Sequence, residues 1–233
     1  MKPILLFDID GTLLNVDHSF IKILIDSMFE EMGFLNHKVE SRSFAGRTDR
    51  DIFYELVSAS EHADELYKEV KKRYLTYMKN HFSEEHLSVI EGVEELVDFV
   101  VRENYPVGLC TGNYRESAFI KVESAGFQDI FSFGGFGCNH ADRAYLPGEA
   151  HKEYSILSGK TPNPDQYIVI GDTPNDIRCA KHFGAKVVSV STGSYSDKEL
   201  KRYQPDLHLR NLNELIEYLP VWENKLNRSG RLS

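Results

Sequence analysis

Cysteine is scarce in this 233-residue chain: Cys110, Cys138 and Cys179 are widely spaced, odd in number and form no C-x-x-C. That pattern fits no disulfide framework and points to a reducing compartment. Long apolar runs are missing as well. None approaches the roughly 18 residues of a membrane span. The opening MKPILLFDID is interrupted by Asp8 and Asp10, which excludes a signal-peptide core. The expected compartment is the cytoplasm. Basic residues are outnumbered, 27 Lys plus Arg against 36 Asp plus Glu, for a net charge of −9. Nucleic acid and anionic membranes call for a basic footprint, so neither is an expected partner. At face value the same sum argues against any anionic ligand. The nine histidines are scattered, with no H-E-x-x-H, and no His/Cys spacing suits zinc. What is present is ordinary globular usage, 41% hydrophobic and 27% charged, enough to bury a core without staples.

Short apolar runs recur, each ending in a polar loop. Ile4–Phe7 leads into Asp8, Val107–Cys110 into Thr111-Gly112-Asn113, Tyr167–Ile170 into Gly171-Asp172, and Lys186–Val190 into Ser191-Thr192-Gly193. Runs of this length read as buried strands. Phe131-Ser132-Phe133 reads as a fifth. Helical spacing fills the gaps: Val93, Leu96, Val97 and Val100; then Ala118, Val122 and Ala125; then Ile177, Ala180 and Phe183. Strands alternating with helices predict an α/β fold, a Rossmann-like parallel sheet with its ligand at the carboxyl ends of the strands. Residues 16–88 differ. Phe20, Ile23, Leu24 and Met28, then Ile52, Phe53, Leu56 and Val57, then Leu66, Val70, Tyr74 and Tyr77 lie on helical faces. Some 70 residues is far longer than an ordinary connection. The expectation is an all-helical domain over 16–88, inserted into a core formed by 1–15 and 89–233, with a frayed tail from Val221.

Asp8 and Asp10 stand two residues apart at the end of the first run, and Asp172 and Asp176 follow a later one. An acidic turn or a helix cap would explain either pair alone. Brought to one sheet edge, they repel unless a cation neutralises them. Their oxygens suit Mg²⁺. Thr111, with the backbone N–H groups that follow it, has the character of a phosphate-binding helix start.

These residues stand in the order of a known family's motifs. The sequence resembles the haloacid dehalogenase superfamily: D-x-D-G-T at Asp8–Thr12, an apolar strand ending in Thr111, and G-D-x-x-x-D at Gly171–Asp176. The resemblance covers roughly residues 1–15 and 89–215, and it is of the phosphoglycolate phosphatase-like kind with a helical cap. It implies that Asp8 is the nucleophile and that Asp10 is the general acid and then the base. It implies Mg²⁺ held by Asp8, the backbone carbonyl of Asp10, and Asp172, with Asp176 behind them. Thr111, Gly112 and Asn113 would hold the phosphoryl group. The family's third motif, a Lys or Arg, lacks its usual Lys-Pro form, which leaves Arg143, Lys152 and Lys160. Arg143 is favoured by its separation from Thr111 and by the permanent charge and planar fork of arginine. In the insertion, Ala45–Asp49 resembles a substrate-specificity loop, and Arg47 is the candidate for a substrate carboxylate or phosphate.

The implied activity is a Mg²⁺-dependent phosphatase of small phosphomonoesters, phosphoglycolate-like as a first guess, acting as a monomer or homodimer. A β-phosphoglucomutase-like phosphosugar mutase is the alternative. A haloacid dehalogenase is disfavoured because that chemistry needs neither the metal nor the second acid. A non-catalytic binding protein is disfavoured by the intact set of acids.

Overall fold

The computed structural model describes residues 1–34, 44–138 and 140–229. Its larger sheet contains β1 (Ile4–Phe7), β4 (Val107–Thr111), β5 (Gly134–Phe136), β6 (Tyr167–Gly171), β7 (Lys186–Val190) and β8 (Leu207–Leu209), in the order β5-β4-β1-β6-β7-β8. Every neighbouring pair is parallel. β1 is central, with Leu5 opposite both Val107 and Ile168. The chain moves outward from β1 to β4 and β5, then returns to the far side for β6. That reversal opens a crevice at the carboxyl ends of β1, β4 and β6, where a doubly wound sheet places its ligand.

Side-chain alternation divides the core into two layers. Leu5, Phe7, Leu109, Ile168 and Ile170 face α4 (Val93–Arg102), α5 (Arg115–Ser124) and α9 (Leu215–Ser229). Ile4, Leu6, Cys110 and Val169 face α6 (Leu146–Ser158) and α7 (Pro174–Phe183), with Leu200 of α8 (Asp197–Lys201) in the same cluster. The sheet is therefore buried on both faces, which is why its strands read as apolar runs.

Between β1 and β4 lie α1 (His18–Glu31), α2 (Asp49–Val57) and α3 (Ala63–His81). Leu24, Ile25, Met28 and Phe29 of α1 join Phe53, Val70, Tyr74 and Met78 in the first layer's cluster. Both connections to this unit run through a ribbon the sequence reading did not expect. β2 (Leu14–Val16) pairs antiparallel with β3 (Leu87–Val89), Leu14 opposite Val89. Strands of three residues carry too little alternation to be recognised by period.

Two further expectations need correction. The fifth strand is Gly134–Phe136, not Phe131–Phe133. Phe131 and Phe133 are buried just ahead of it, Phe131 edge-on to Phe7 at 6.2 Å and Phe133 against Tyr154 at 4.9 Å. The strand itself needs glycine: a Cβ on Gly135 would stand 1.9 Å from the Leu146 carbonyl oxygen. Nor does the chain fray at Val221. α9 continues to Ser229, because Leu215 and Leu219 are fully buried and Trp222, on the same face, packs against the core. Residues 230–233, including Arg231, lie outside the described residues. Among the described residues, no helix is long and apolar enough to cross a membrane.

Candidate active site

The end of β1 is a tight turn. The Ile9 carbonyl accepts from the amides of Thr12, Leu13 and Leu14 at 3.2, 2.9 and 2.9 Å. Gly11 sits there at φ +83°, and a Cβ on it would come within 2.5 Å of Asp172 Oδ2. Only glycine meets both demands. The turn brings the Thr12 hydroxyl to Asp172, to which it donates at 3.1 Å. Asp8, at the start of the turn, and Asp172, at the end of β6, are thus neighbours across the adjoining strands.

At the start of α7, Thr173 and Asp176 form a capping box. Asp176 Oδ2 accepts from the Thr173 amide at 3.0 Å and its hydroxyl at 2.7 Å. Asp176 Oδ1 accepts from Arg143. The same guanidinium nitrogen lies 3.1 Å from Asp8 Oδ1 and donates to the Cys110 carbonyl at 3.2 Å. Arg143 is buried, as are Asp8 and Asp176. Its Nε has no hydrogen-bond partner. Burial opposes the Arg143 charge, but Asp176 and Asp8 outweigh it and hold the guanidinium firmly protonated.

Carboxylate oxygens of Asp8, Asp172 and Asp176 can all lie within 4.8 Å of one another. Burial, with the charges of Asp176 and Asp10, pushes Asp8 up to about 6 against the pull of Arg143. Asp172 is also raised well above the ordinary carboxylate range by burial and by the charges of Asp8 and Asp176, against Thr12 and Arg143. Both oxygens of Asp176 are already taken by Thr173 and Arg143, so Asp8 and Asp172 are the acids with capacity to spare.

Asp10 has a different environment. Burial would raise it, but the Lys121 ammonium and the Asn113 amide outweigh burial and hold it below the usual carboxylate range. Lys121 Nζ donates to Oδ1 and Oδ2 of Asp10 at 2.7 and 2.8 Å and to Asn113 Oδ1 at 2.7 Å. Asn113 Nδ2 donates to Asp10 Oδ2 at 2.6 Å and to Thr111 Oγ1 at 2.8 Å. Thr111 ends β4 and is fully buried.

The loop Ala45–Asp49 is seated on these core residues. The Asp49 amide donates to the Gly112 carbonyl at 2.7 Å, Asn175 Nδ2 donates to the Gly46 carbonyl at 2.8 Å, and Thr48 Oγ1 donates to the Ala141 carbonyl at 2.9 Å. The Asp49 carboxylate accepts from the Tyr114 amide at 2.7 Å and the Ser117 hydroxyl at 3.3 Å, so it caps α5 from another part of the chain. Burial pushes Asp49 up to about 6, although Lys121 and the Tyr114 amide draw it back. Tyr114 stacks on Phe53 of α2 at 6.0 Å and donates from its hydroxyl to Tyr67 of α3 at 3.0 Å. A Cβ on Gly112 would stand 1.9 Å from the Arg47 carbonyl oxygen. Gly112→Ala is therefore expected to push the loop off the core. Global stability should fall by about 1–3 kcal/mol, with faster hydrogen exchange at the Asp49 and Tyr114 amides. Unchanged exchange at those amides would refute the seating.

The expected site residues fall as follows. Asp8, Asp10, Thr111, Gly112, Asn113, Arg143 and Asp172 line one cavity of about 730 Å³, with Asp176 behind Arg143. Arg47 also lines it, but its guanidinium binds Asp51 at 2.6 Å and Glu55. Lys152 is exposed and pairs with Glu149 at 2.7 Å, and Lys160 is exposed; neither lines the cavity. The structure adds Lys121 and Asp49, which the sequence reading did not single out. Apart from His18 and Asp49, the wall contributed by α1, α2 and α3 is apolar or aromatic among the described residues: Ile21, Ile25, Ile52, Phe53 and Tyr74.

Comparison with known proteins gives a consistent set. The family described as haloacid dehalogenase-like hydrolase matches residues 5–190. The pyrophosphatase PpaX of Listeria welshimeri is 26% identical over 216 residues, covering 91% of this chain and 94% of the relative. PpaX of Bacillus cereus is 25% identical over 226 residues, with 96% and 97% covered. Among solved structures, a predicted phosphoglycolate phosphatase from Haemophilus somnus superposes with a TM-score of 0.69 at 17% identity, over 93% of this chain and 97% of that one. CbbY from Rhodobacter sphaeroides in complex with phosphate also gives 0.69, at 15% identity, over 92% and 96%. At such identities the structural likeness is one of fold.

Proposed function

The chain belongs to the haloacid dehalogenase-like hydrolases, and on that premise we propose that it is a Mg²⁺-dependent phosphatase of small phosphomonoesters working through an aspartyl-phosphate. The observation that carries the proposal is the division of labour between Asp8 and Asp10. Two residues apart, they face one cavity with separate cations, Arg143 for Asp8 and Lys121 for Asp10.

Asp8 attacks phosphorus, forming the Asp8–phosphoryl bond as the bond to the leaving oxygen breaks. Asp10, ionised beside Lys121 in the free protein, takes up the proton of the phosphate monoanion, passes it to the leaving oxygen, and later takes one from the attacking water. Thr111 and the amides of Gly112 and Asn113 hold the non-reacting phosphoryl oxygens. Arg143 holds Asp8 in place and ties it to Asp176. The chemistry of the donors fits Mg²⁺: Asp8 and Asp172 offer hard oxygens whose charges burial and mutual repulsion leave under-compensated. Those two residues and the backbone carbonyl of Asp10 would hold the ion, which when bound neutralises the anionic nucleophile and the phosphate together.

Residues 16–88 are the cap in this proposal. The β2–β3 ribbon joins it to the core, and the seated Ala45–Asp49 loop forms part of the cavity wall, from which a cap limits the access of water during the reaction. Arg47 contributes to substrate binding by exchanging its ion pairs. Partly exposed pairs of this kind are worth about 1 kcal/mol or less, so an anionic substrate group can compete for the guanidinium. The proposed setting is cytoplasmic, the active form a monomer or homodimer, and the ligand a small phosphorylated metabolite.

The test is a broad phosphoester screen, phosphoglycolate first, with Mg²⁺ and with EDTA, following both inorganic phosphate and sugar-phosphate isomers. Phosphate release that EDTA abolishes is expected. Isomerisation without phosphate release would replace the phosphatase by a mutase, and EDTA-insensitive halide release from a 2-haloacid would overturn phosphoryl transfer altogether.

A further inference from the structure

α5 carries a charge on its buried face. Ala118 and Val122 are fully buried, and Lys121 between them is only 5% exposed. Taking an ammonium out of water costs several kcal/mol unless it is paired and hydrogen-bonded. An apolar side chain would fill the same space without that cost. The ammonium has three N–H donors, and it meets three acceptors: both oxygens of Asp10 and the Asn113 amide oxygen, all within 2.8 Å. Asn113 completes the ring by donating to Asp10 Oδ2 and Thr111 Oγ1. Asp10 thus receives three hydrogen bonds from two side chains that are themselves anchored, Asn113 at the end of β4 and Lys121 in the second turn of α5. Arg143 serves Asp8 and Asp176 on the other side of the cavity.

We propose that Lys121 is a positioning residue for Asp10: with Asn113 it fixes the carboxylate toward the water that hydrolyses the phosphoenzyme. This rests on the aspartyl-phosphate reading above. In that step the water oxygen bonds to phosphorus as the Asp8–phosphoryl bond breaks. The water proton passes to Asp10, inorganic phosphate departs and the Asp8 carboxylate is restored. The base must be held within hydrogen-bond reach of the water, and a correctly placed one is worth about 10²–10⁴-fold. Deprived of Lys121, Asp10 keeps the Asn113 contact alone and is free to turn about its last bond.

The experiment is rapid mixing of Lys121→Met with p-nitrophenyl phosphate and Mg²⁺. Nitrophenolate leaves without needing a proton, so transfer to Asp8 is little affected while hydrolysis of the phosphoenzyme slows. The expected result is a burst of about one nitrophenolate per active site, followed by a steady state roughly 100-fold below wild type. KM should fall with kcat, leaving kcat/KM nearly unchanged. A lysine that only packs the helix would give no burst, and one that holds substrate phosphate would lower kcat/KM; either result overturns the proposal. Should Lys121→Met fail to fold, Lys121→Gln retains two N–H donors without the charge and must show the same burst with a smaller loss. If wild-type protein lacks Mg²⁺-dependent turnover, or Asp8→Asn retains it, the phosphatase reading itself fails. If wild type is active and Asp8-dependent but neither Lys121 variant shows a burst, only the role of Lys121 falls.

Discussion

Asp8→Asn is expected to abolish Mg²⁺-dependent phosphate release, by at least about 10⁴-fold, while leaving the fold intact. Losing a covalent nucleophile costs on this scale because the remaining groups are arranged around an intermediate that no longer forms. The amide is close to isosteric with the carboxylate and can still accept from Arg143, so the cavity keeps its shape. The stability effect has a definite sign. Asp8 is raised to about 6 in the folded protein, chiefly by burial. Its contribution to stability is therefore fully present below the unfolded-state value near 4 and is lost as pH rises through about 6. Asn carries no such penalty. In metal-free protein at pH 7.5 the variant should melt above wild type, and at pH 4 the difference should vanish. Thermal melts in EDTA at the two pH values, beside a phosphate-release assay, check both halves. Residual Mg²⁺-dependent turnover within tenfold of wild type would refute the assignment of the nucleophile.

Three of the residues named from the sequence, Asp8, Thr111 and Asp172, share one property: each stands at the carboxyl end of a buried strand. Asp8, Thr111 and Asp172 come after apolar runs of four or five residues, and a parallel sheet carries such strand ends to one edge whatever lies between them. The sheet class followed from the same runs. Lys121 has no strand before it. It stands among Ala118, Val122 and Ala125, where a lone lysine ordinarily extends its charge past the apolar face to water. The available clue was Ser117, one turn earlier on the same inward face and also buried. Asp49 was hidden for another reason. At the first position of α2, capped by Thr48, it reads as an acid favouring its own helix dipole. Its partners are instead Tyr114 and Ser117, more than sixty residues away, and no local pattern reports that contact. β5 was displaced by three residues because two phenylalanines outweigh two glycines in β-propensity. Close approach of β5 to α6 reverses that preference. The −9 net charge also changes meaning. Asp8, Asp10, Asp172 and Asp176 account for four of the acids, and they gather around Arg143 and Lys121 in the interior, so the sum says little about an anionic ligand.

Arg143→Met should have the largest effect on stability of any single change in the site. The guanidinium is the permanent cation between Asp8 and Asp176, and both carboxylates are buried. Removing one partner of a buried ion pair leaves an uncompensated charge and typically costs about 3–5 kcal/mol, far more than an exposed pair. The Nε atom, buried without a hydrogen-bond partner, is the one polar group the substitution relieves, a partial offset. The loss should grow with pH. Arg143 is the main influence lowering Asp8, and it lowers Asp172 as well. Without it both rise further above their unfolded-state values. Their stabilising contribution is then present at low pH and is lost as pH rises through the higher folded values. Denaturant titrations in EDTA should accordingly find the variant closest to wild type near pH 4 and furthest from it near pH 8. Mg²⁺ should recover more stability in Arg143→Met than in wild type, because in the variant it meets carboxylates with no other cation beside them. Arg143→Lys separates charge from geometry. It retains a cation but loses the planar fork that spans Asp8 and Asp176, so it should regain part of the stability while kcat stays about 10²–10³-fold low. A variant as stable as wild type across this pH range would mean that Arg143 compensates neither acid.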